Sequence, residues 1–397
     1  MLKVVATYQV PSRACSDPDK KGKGIALGMT IGSWSGIAPD QQARQALYAG
    51  EYLGFDRLDL SIGPVVRLKV AYPISNFPPR LSEILVAVFG KLSMDREIKL
   101  VDLSLPAETA SEFPGPRYGI EGIRKKLNVF HRPPLMSIFK CAFGLNPKEY
   151  ADSFSEQVAG GIDLVKDDEI YFDGAGRIER VKYCREVMDQ VSHREKRQVI
   201  YAVNLSAPST RLLETAHQLV DAGANALLVN VLAYGWNAFH ELAADSELDA
   251  ILVAHPALAG AIYPAPFHGI SSSLLLGTFM RMTGADLTLF PSPYGNVSLP
   301  RGEALDIAER LREKGAYRSS FPVPSAGIHP GLVPEMIKDF GIEMVINAGG
   351  GVHHHPNGTR QGARAFLDAI EGVCEGKELA EVARGSIPLK EALAQWP

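Results

Sequence analysis

No stretch of this 397-residue sequence is apolar for long enough to span a membrane. Its longest runs, such as Ile84–Phe89, fall far short of the ~18 residues a span needs. The N-terminus, MLKVVATYQV, lacks the apolar region of a signal peptide. Cysteine is scarce. Cys15, Cys141, Cys184 and Cys374 are scattered, without a CxxC pair, so no disulfide-dense scaffold is expected. Basic excess is also missing: 41 Lys+Arg face 45 Asp+Glu, for a formal charge of -4. With no Lys/Arg block, neither nucleic acid nor an anionic membrane is expected as partner. His240-Glu241 fails the HExxH zinc pattern, because position 244 is Ala. The expectation is a globular, cytoplasmic protein with reduced thiols.

What is present reads as two domains, since one core rarely serves a chain of this length. Residues 1–126 mix strand-like and helix-like pieces: Leu2–Gln9 and Val65–Ala71 read as strands, and Ala43–Leu53 as a helix. Glu112-Phe-Pro-Gly-Pro-Arg117 breaks regular structure, and the boundary is set near 126. Residues 127–397 carry a rhythm. Short β-branched runs begin at Leu135, Ile162, Val199, Ala226, Ile251, Asp286, Phe321 and Met344, separated by helical stretches. Glycine follows several of those helices, in "AGGID", "DAGANAL", "MTGADLTL" and "DFGIEMVI", where a left-handed C-cap is wanted. Eight such units predict an α/β fold, a (β/α)8 TIM barrel.

In such a barrel the chemistry lies at the C-terminal ends of the strands. Those ends carry Lys140, Lys166-Asp167-Asp168-Glu169, Asn204, Asn230, His255, Ser325-Ala-Gly327 and Gly349-Gly350-Gly351. Alternation puts Lys166 and Asp168 on one face and Asp167 on the other. The cluster reads either as a salt-bridged strand end or as a Mg2+ site built from hard oxygens. For the second, Lys166 would react with CO2 and become a carbamate, a third carboxylate-like arm. The glycines read as a tight turn or as a phosphate cradle, and Ser325 with Gly327 alongside favours the cradle. His255 is either a core histidine or a strand-end site residue. In His353-His354-His355 consecutive side chains point in different directions, which argues against one shared ion.

Several of these segments resemble the RuBisCO large-chain superfamily: Ser137-Ile-Phe-Lys140, Gly161-Ile-Asp-Leu-Val-Lys166-Asp-Asp168-Glu169, His255-Pro-Ala, Ser325-Ala-Gly327 and Gly349-Gly-Gly351. The resemblance implies an N-terminal ferredoxin-like α+β domain ahead of the barrel. It also implies a homodimer in which one subunit's N-terminal domain closes the other's site. Departures from carboxylases are specific. Ala142 and Ala259 stand where a lysine and a histidine are expected, and the loop from Phe290 to Asn296 has no lysine. The chain has none at all between Lys196 and Lys314. Those losses argue against CO2 fixation.

Within the superfamily, Gly24–Gly32, Phe89-Gly-Lys91-Leu-Ser93, Phe113-Pro-Gly-Pro-Arg117 and Phe290-Pro-Ser-Pro-Tyr-Gly295 resemble the RuBisCO-like 2,3-diketo-5-methylthiopentyl-1-phosphate enolases of methionine salvage, a part of methionine biosynthesis. That resemblance implies an isomerase acting on a small phosphorylated diketone. Lys91, from the neighbouring subunit, would be the catalytic base. Metal ligands would be Lys166 (as carbamate), Asp168 and Glu169, holding Mg2+. Substrate would be bound by Lys140, Lys166, Asp167, Asp168, Glu169, His255, Ser325, Gly327, Gly349 and Gly350. Other readings are an isomerase of 5-methylthioribulose 1-phosphate, a decarboxylase of a sugar-acid phosphate, and a non-enzymatic phosphate-ligand binding protein.

Overall fold

A computed structural model describes residues 2–396 apart from 173, 175 and 296; the end of the expected loop at Asn296 lies outside the described residues. The N-terminal sheet contains β1 (Lys3–Pro11), β2 (Glu51–Leu60), β3 (Gly63–Pro73) and β4 (Lys99–Ser104), in the antiparallel order β4-β1-β3-β2. Alternation puts Val4, Ala6, Tyr8 and Val10 of β1 on one face, all fully buried. The helix Pro18–Gly28 and the helix Leu81–Leu85 supply Ile25 and Ile84 to the same core. This is the ferredoxin-like arrangement.

One local expectation fails. The helical reading over Ala43–Leu53 ends early: the helix covers Pro39–Gln45, a single turn follows over Ala46–Tyr48, and β2 begins at Glu51. As the edge strand, β2 is half-exposed along its length and carries Glu51, Asp56, Arg57 and Asp59. Charge on an exposed edge blocks unwanted strand pairing, and it also erases the buried alternation that marks a strand.

The barrel strands are β5 (Leu135–Ile138), β6 (Leu164–Lys166), β7 (Ile200–Asn204), β8 (Ala226–Asn230), β9 (Ile251–His255), then β11 (Leu287–Pro291), β12 (Phe321–Ser325) and β13 (Ile346–Ala348). They pair in parallel in the order β12-β11-β9-β8-β7-β6-β5-β13, with β13 returning to β5 and β12 facing β13 without a ladder. Between β9 and β11, the two-residue β10 (Gly269–Ile270) joins β4 and ties the barrel to the first sheet. The seam from β12 to β13 is thin for a chemical reason. Val345 N–H donates to Pro322 O at 3.0 Å, but Pro322 and Pro324 have no N–H to return. As expected, Gly161, Gly223, Gly284 and Gly341 all take positive φ where helices hand over to strands.

The helix Gly119–Leu127 sits under the barrel, its Ile120, Ile123 and Leu127 packed with Met136, Leu164 and Val323. Buried Asp286 pins it there, accepting from the N–H groups of Tyr118, Gly119 and Leu252 at 2.7–3.0 Å. The sequence boundary at 126 runs through this helix. Among the described residues, no helix is long and apolar enough to cross a membrane.

Candidate active site

A cavity of about 570 Å³ opens at the C-terminal ends of the barrel strands. Its floor is charged. Lys166 ends β6 with no exposed surface, its Nζ 2.9 Å from Asp167 O and 3.5 Å from Glu169 Oε2. Lys140, just past β5, places Nζ 2.6 Å from Asp168 Oδ2. His255 ends β9 with Nε2 3.4 Å from Glu169 Oε2. Its Nδ1 accepts from Ala257 N–H, which leaves the proton on Nε2.

Burial pushes the Lys166 ammonium below the usual lysine range; Glu169 and Asp168 pull the other way, and Lys140 adds to the depression. Burial opposes ionisation of Glu169, but the Lys166 charge and hydrogen bonding outweigh it and hold the carboxyl low. The two are linked: as Lys166 loses its proton, Glu169 loses part of that support. Burial, then Lys166 and Lys140, hold His255 well below its ordinary value, so its imidazole is neutral.

The donor set fits a hard divalent cation on one condition. Among the described residues, no three His, Cys, Asp or Glu side chains gather as a metal site. Two carboxylates, Asp168 and Glu169, are present, each against an ammonium. Carbamylation of Lys166 would exchange a positive group for a negative one at the cavity floor. Three carboxylate-type groups would then converge, a charge excess suited to Mg2+.

The opposite wall is built from backbone. Gly327 has φ +72 and passes so close to Gly295 that a Cβ would lie 2.5 Å from the Gly295 Cα. A Cβ on Gly349 would meet the Lys140 side chain at 3.2 Å. Among the described residues, no backbone carbonyl accepts from the N–H groups of Gly327, Gly349 or Gly350. Free N–H groups beside a lysine are suited to an oxyanion. Ser325 lines the same wall, but its hydroxyl donates to Val323 O and accepts from Asn347 Nδ2. His329 and Trp396, stacked at 6.2 Å, complete this end.

Three expected site residues do not line the cavity: Asp168, which pairs with Lys140, Asp167, and Lys91, which was expected from a neighbouring subunit. Asp167 points away from the cavity, as strand alternation requires. It accepts from Tyr150 Oη (2.6 Å), Tyr201 Oη (2.8 Å) and the Asn204 N–H (2.9 Å), with Arg180 Nη1 at 3.1 Å. Burial raises both phenols well above their ordinary value, so they stay donors. Lys91 follows a π-helical turn over Val86–Gly90, is exposed, and is not among the cavity's lining residues. The Asp167 network was invisible in sequence because its members come from four elements. Asn204 and Asn230 were legible as polar strand ends, but not in role: their amides donate to Glu169 O at 3.1 and 3.2 Å and hold that loop in place.

An eight-stranded barrel with lysines, carboxylates and a histidine facing a glycine wall defines an enzyme of the RuBisCO type. Residues 119–291 and 311–396 match the family described as ribulose bisphosphate carboxylase large chain, catalytic domain, and the chain belongs to that family as a RuBisCO-like protein. Relatives named 2,3-diketo-5-methylthiopentyl-1-phosphate enolase match all of this chain and 98% of their own: one from Geobacillus thermodenitrificans at 42% identity, another from Bacillus mycoides at 44%. Among solved structures, a rubisco-like protein (MtnW) from Alicyclobacillus acidocaldarius is 43% identical, with a TM-score of 0.91 over 100% of both chains. A dimeric archaeal Rubisco from Hyperthermus butylicus is 28% identical, with a TM-score of 0.87 over 99% of this chain and 96% of that one.

Proposed function

We propose that this chain enolises 2,3-diketo-5-methylthiopentyl-1-phosphate to 2-hydroxy-3-keto-5-methylthiopentenyl-1-phosphate and fixes no CO2. One observation carries the reading: a single cavity joins a charged floor of Lys140, Lys166 and Glu169, with Asp168 paired to Lys140, to a wall of free glycine N–H groups. A substrate with a phosphate at one end and adjacent carbonyls beside it needs both. The full-length relatives carry the name of this reaction.

In this reading Gly327, Gly349 and Gly350 hold the phosphate and so fix C1 above the floor. Lys91 of a second copy removes a proton from C1, the C1–C2 double bond forms, and the C2 oxygen gains the charge and is then protonated. Lys140 stabilises that charge as it develops. The neutral His255 holds a substrate oxygen through its Nε2 proton. Bound by carbamylated Lys166, Asp168 and Glu169, Mg2+ would supply Lewis-acid polarisation of the carbonyls. Exposed apolar groups support assembly of the site from two copies. Val86 and Met94 flank Lys91, while Phe143, Ile170 and Phe172 stand exposed on the loops after β5 and β6.

The test is hydrogen exchange at C1 of the diketone phosphate in D2O, followed by NMR, with the ultraviolet rise of the conjugated enol. Exchange that needs Mg2+ and strengthens with bicarbonate supports the assignment. No C1 exchange in any of these conditions overturns it.

A further inference from the structure

We propose that His353 is a positioning residue that keeps the Gly350 N–H free for the substrate phosphate, an inference that rests on the phosphate reading of the glycine wall. The reasoning starts from strand register. Ile346 N–H donates to Pro134 O at 3.0 Å, and β13 pairs Ile346 with Leu135 and Ala348 with Ser137. In a parallel ladder the donors recur every second residue. Two steps further, the Gly350 N–H would meet the carbonyl of Ile138, the last residue of β5.

That bond is not made. Ile138 O instead sits 2.8 Å from His353 Nε2. The other ring nitrogen, Nδ1, is 3.1 Å from Thr359 Oγ1, the first residue of the helix Thr359–Cys374. Since a carbonyl only accepts, Nε2 carries the proton and Nδ1 accepts from the threonine hydroxyl. The tautomer is thereby set by its two partners. Burial lowers the imidazole's affinity for a second proton, which agrees with a neutral ring.

The consequence falls on the wall. With Ile138 O satisfied by a side chain, β13 stops at Ala348, and the backbone turns into the short helix Gly350–His353. The Gly350 N–H is left without a backbone acceptor among the described residues, on a residue that lines the cavity. His353 touches no substrate in this account. It acts by occupying the carbonyl that would otherwise capture a phosphate donor.

The experiment compares His353→Leu, His353→Gln and Thr359→Val with the unaltered protein, measuring inorganic phosphate binding by calorimetry and KM and kcat for the diketone phosphate. Losing one hydrogen bond to a charged group predicts phosphate binding about 10- to 100-fold weaker in His353→Leu. KM should rise in step while kcat changes little. His353→Gln keeps an N–H near the Nε2 position and should recover most of the loss. Thr359→Val, which leaves the histidine but frees its ring, should show a smaller loss in the same direction and serves if the leucine variant does not fold. Unaltered protein that binds no phosphate would overturn the cradle itself. Normal phosphate binding by the unaltered protein together with equal binding in His353→Leu or, should that variant not fold, in Thr359→Val would overturn only the role of His353.

Discussion

The barrel mouth and the corner of the N-terminal domain around Lys91 are opposites. The mouth has a cavity, a charged floor and a glycine wall, and its lysines are spoken for: Lys140 by Asp168, Lys166 by Asp167 O and Glu169. The corner has a lysine in the open, with exposed Val86 and Met94 beside it. On the proposed reading the mouth binds and polarises a diketone phosphate, while both of its lysines are engaged by acceptors. The corner offers a base and nothing to bind with. On the proposed reading each is half of a site, and the exposed apolar surface at both would join halves from two chains.

The sharpest way to break this comparison is Lys91→Ala. A positioned general base contributes about 10²–10⁴-fold, so C1 exchange should fall by that factor while the melting temperature of the chain holds. Asp167→Asn acts on the other half through its backing. It removes a charge that buried Arg180 contacts at 3.1 Å, and should cost about 1.5–3 kcal/mol of stability, read by denaturant unfolding. Lys166→Met should lower exchange by about 10²–10³-fold and abolish any response to bicarbonate, because no carbamate can form. Met94→Glu should weaken self-association by more than about tenfold in sedimentation, with activity falling at low protein concentration and the fold intact.

The smallest effect is a pH dependence. The folded-state pKa of His353 is lowered by burial, with the charges of His354 and Lys140 adding and the Ile138 carbonyl opposing. Above the unfolded value both states are neutral and nothing is contributed. As pH falls through about 6.5 the unfolded chain protonates first, so stability is lost. His353→Gln should therefore lose less stability than the unaltered protein between pH 7 and 5, by under about 1 kcal/mol, in matched urea titrations.

Much of the mouth was legible in sequence. The barrel strands are short buried apolar runs and several helices hand over through a glycine, so β5, β9 and β12 fall within a residue or two of where the runs suggest. A polar residue at a strand end then points to the cavity rim. What lay beyond reach was whatever depends on direction or on a second layer. Asp167 follows the cavity residue Lys166, and alternation already turned it outward; its partners Tyr150, Arg180 and Tyr201 are contributed by two helices and β7. His353 looked like one third of a histidine run, and only the strand register gives it a carbonyl to hold. β2 hid because an edge strand keeps no buried face to betray it.

The division of the site between two chains has one direct measurement. Lys91→Ala and Lys166→Ala proteins are each assayed alone, then mixed, dissociated and reassociated. If every site takes its base from the other copy, half of the dimers are hybrids and each has one intact site. C1 exchange should then return to about one quarter of the unaltered rate. A mixture no more active than the two variants alone would contradict the shared site.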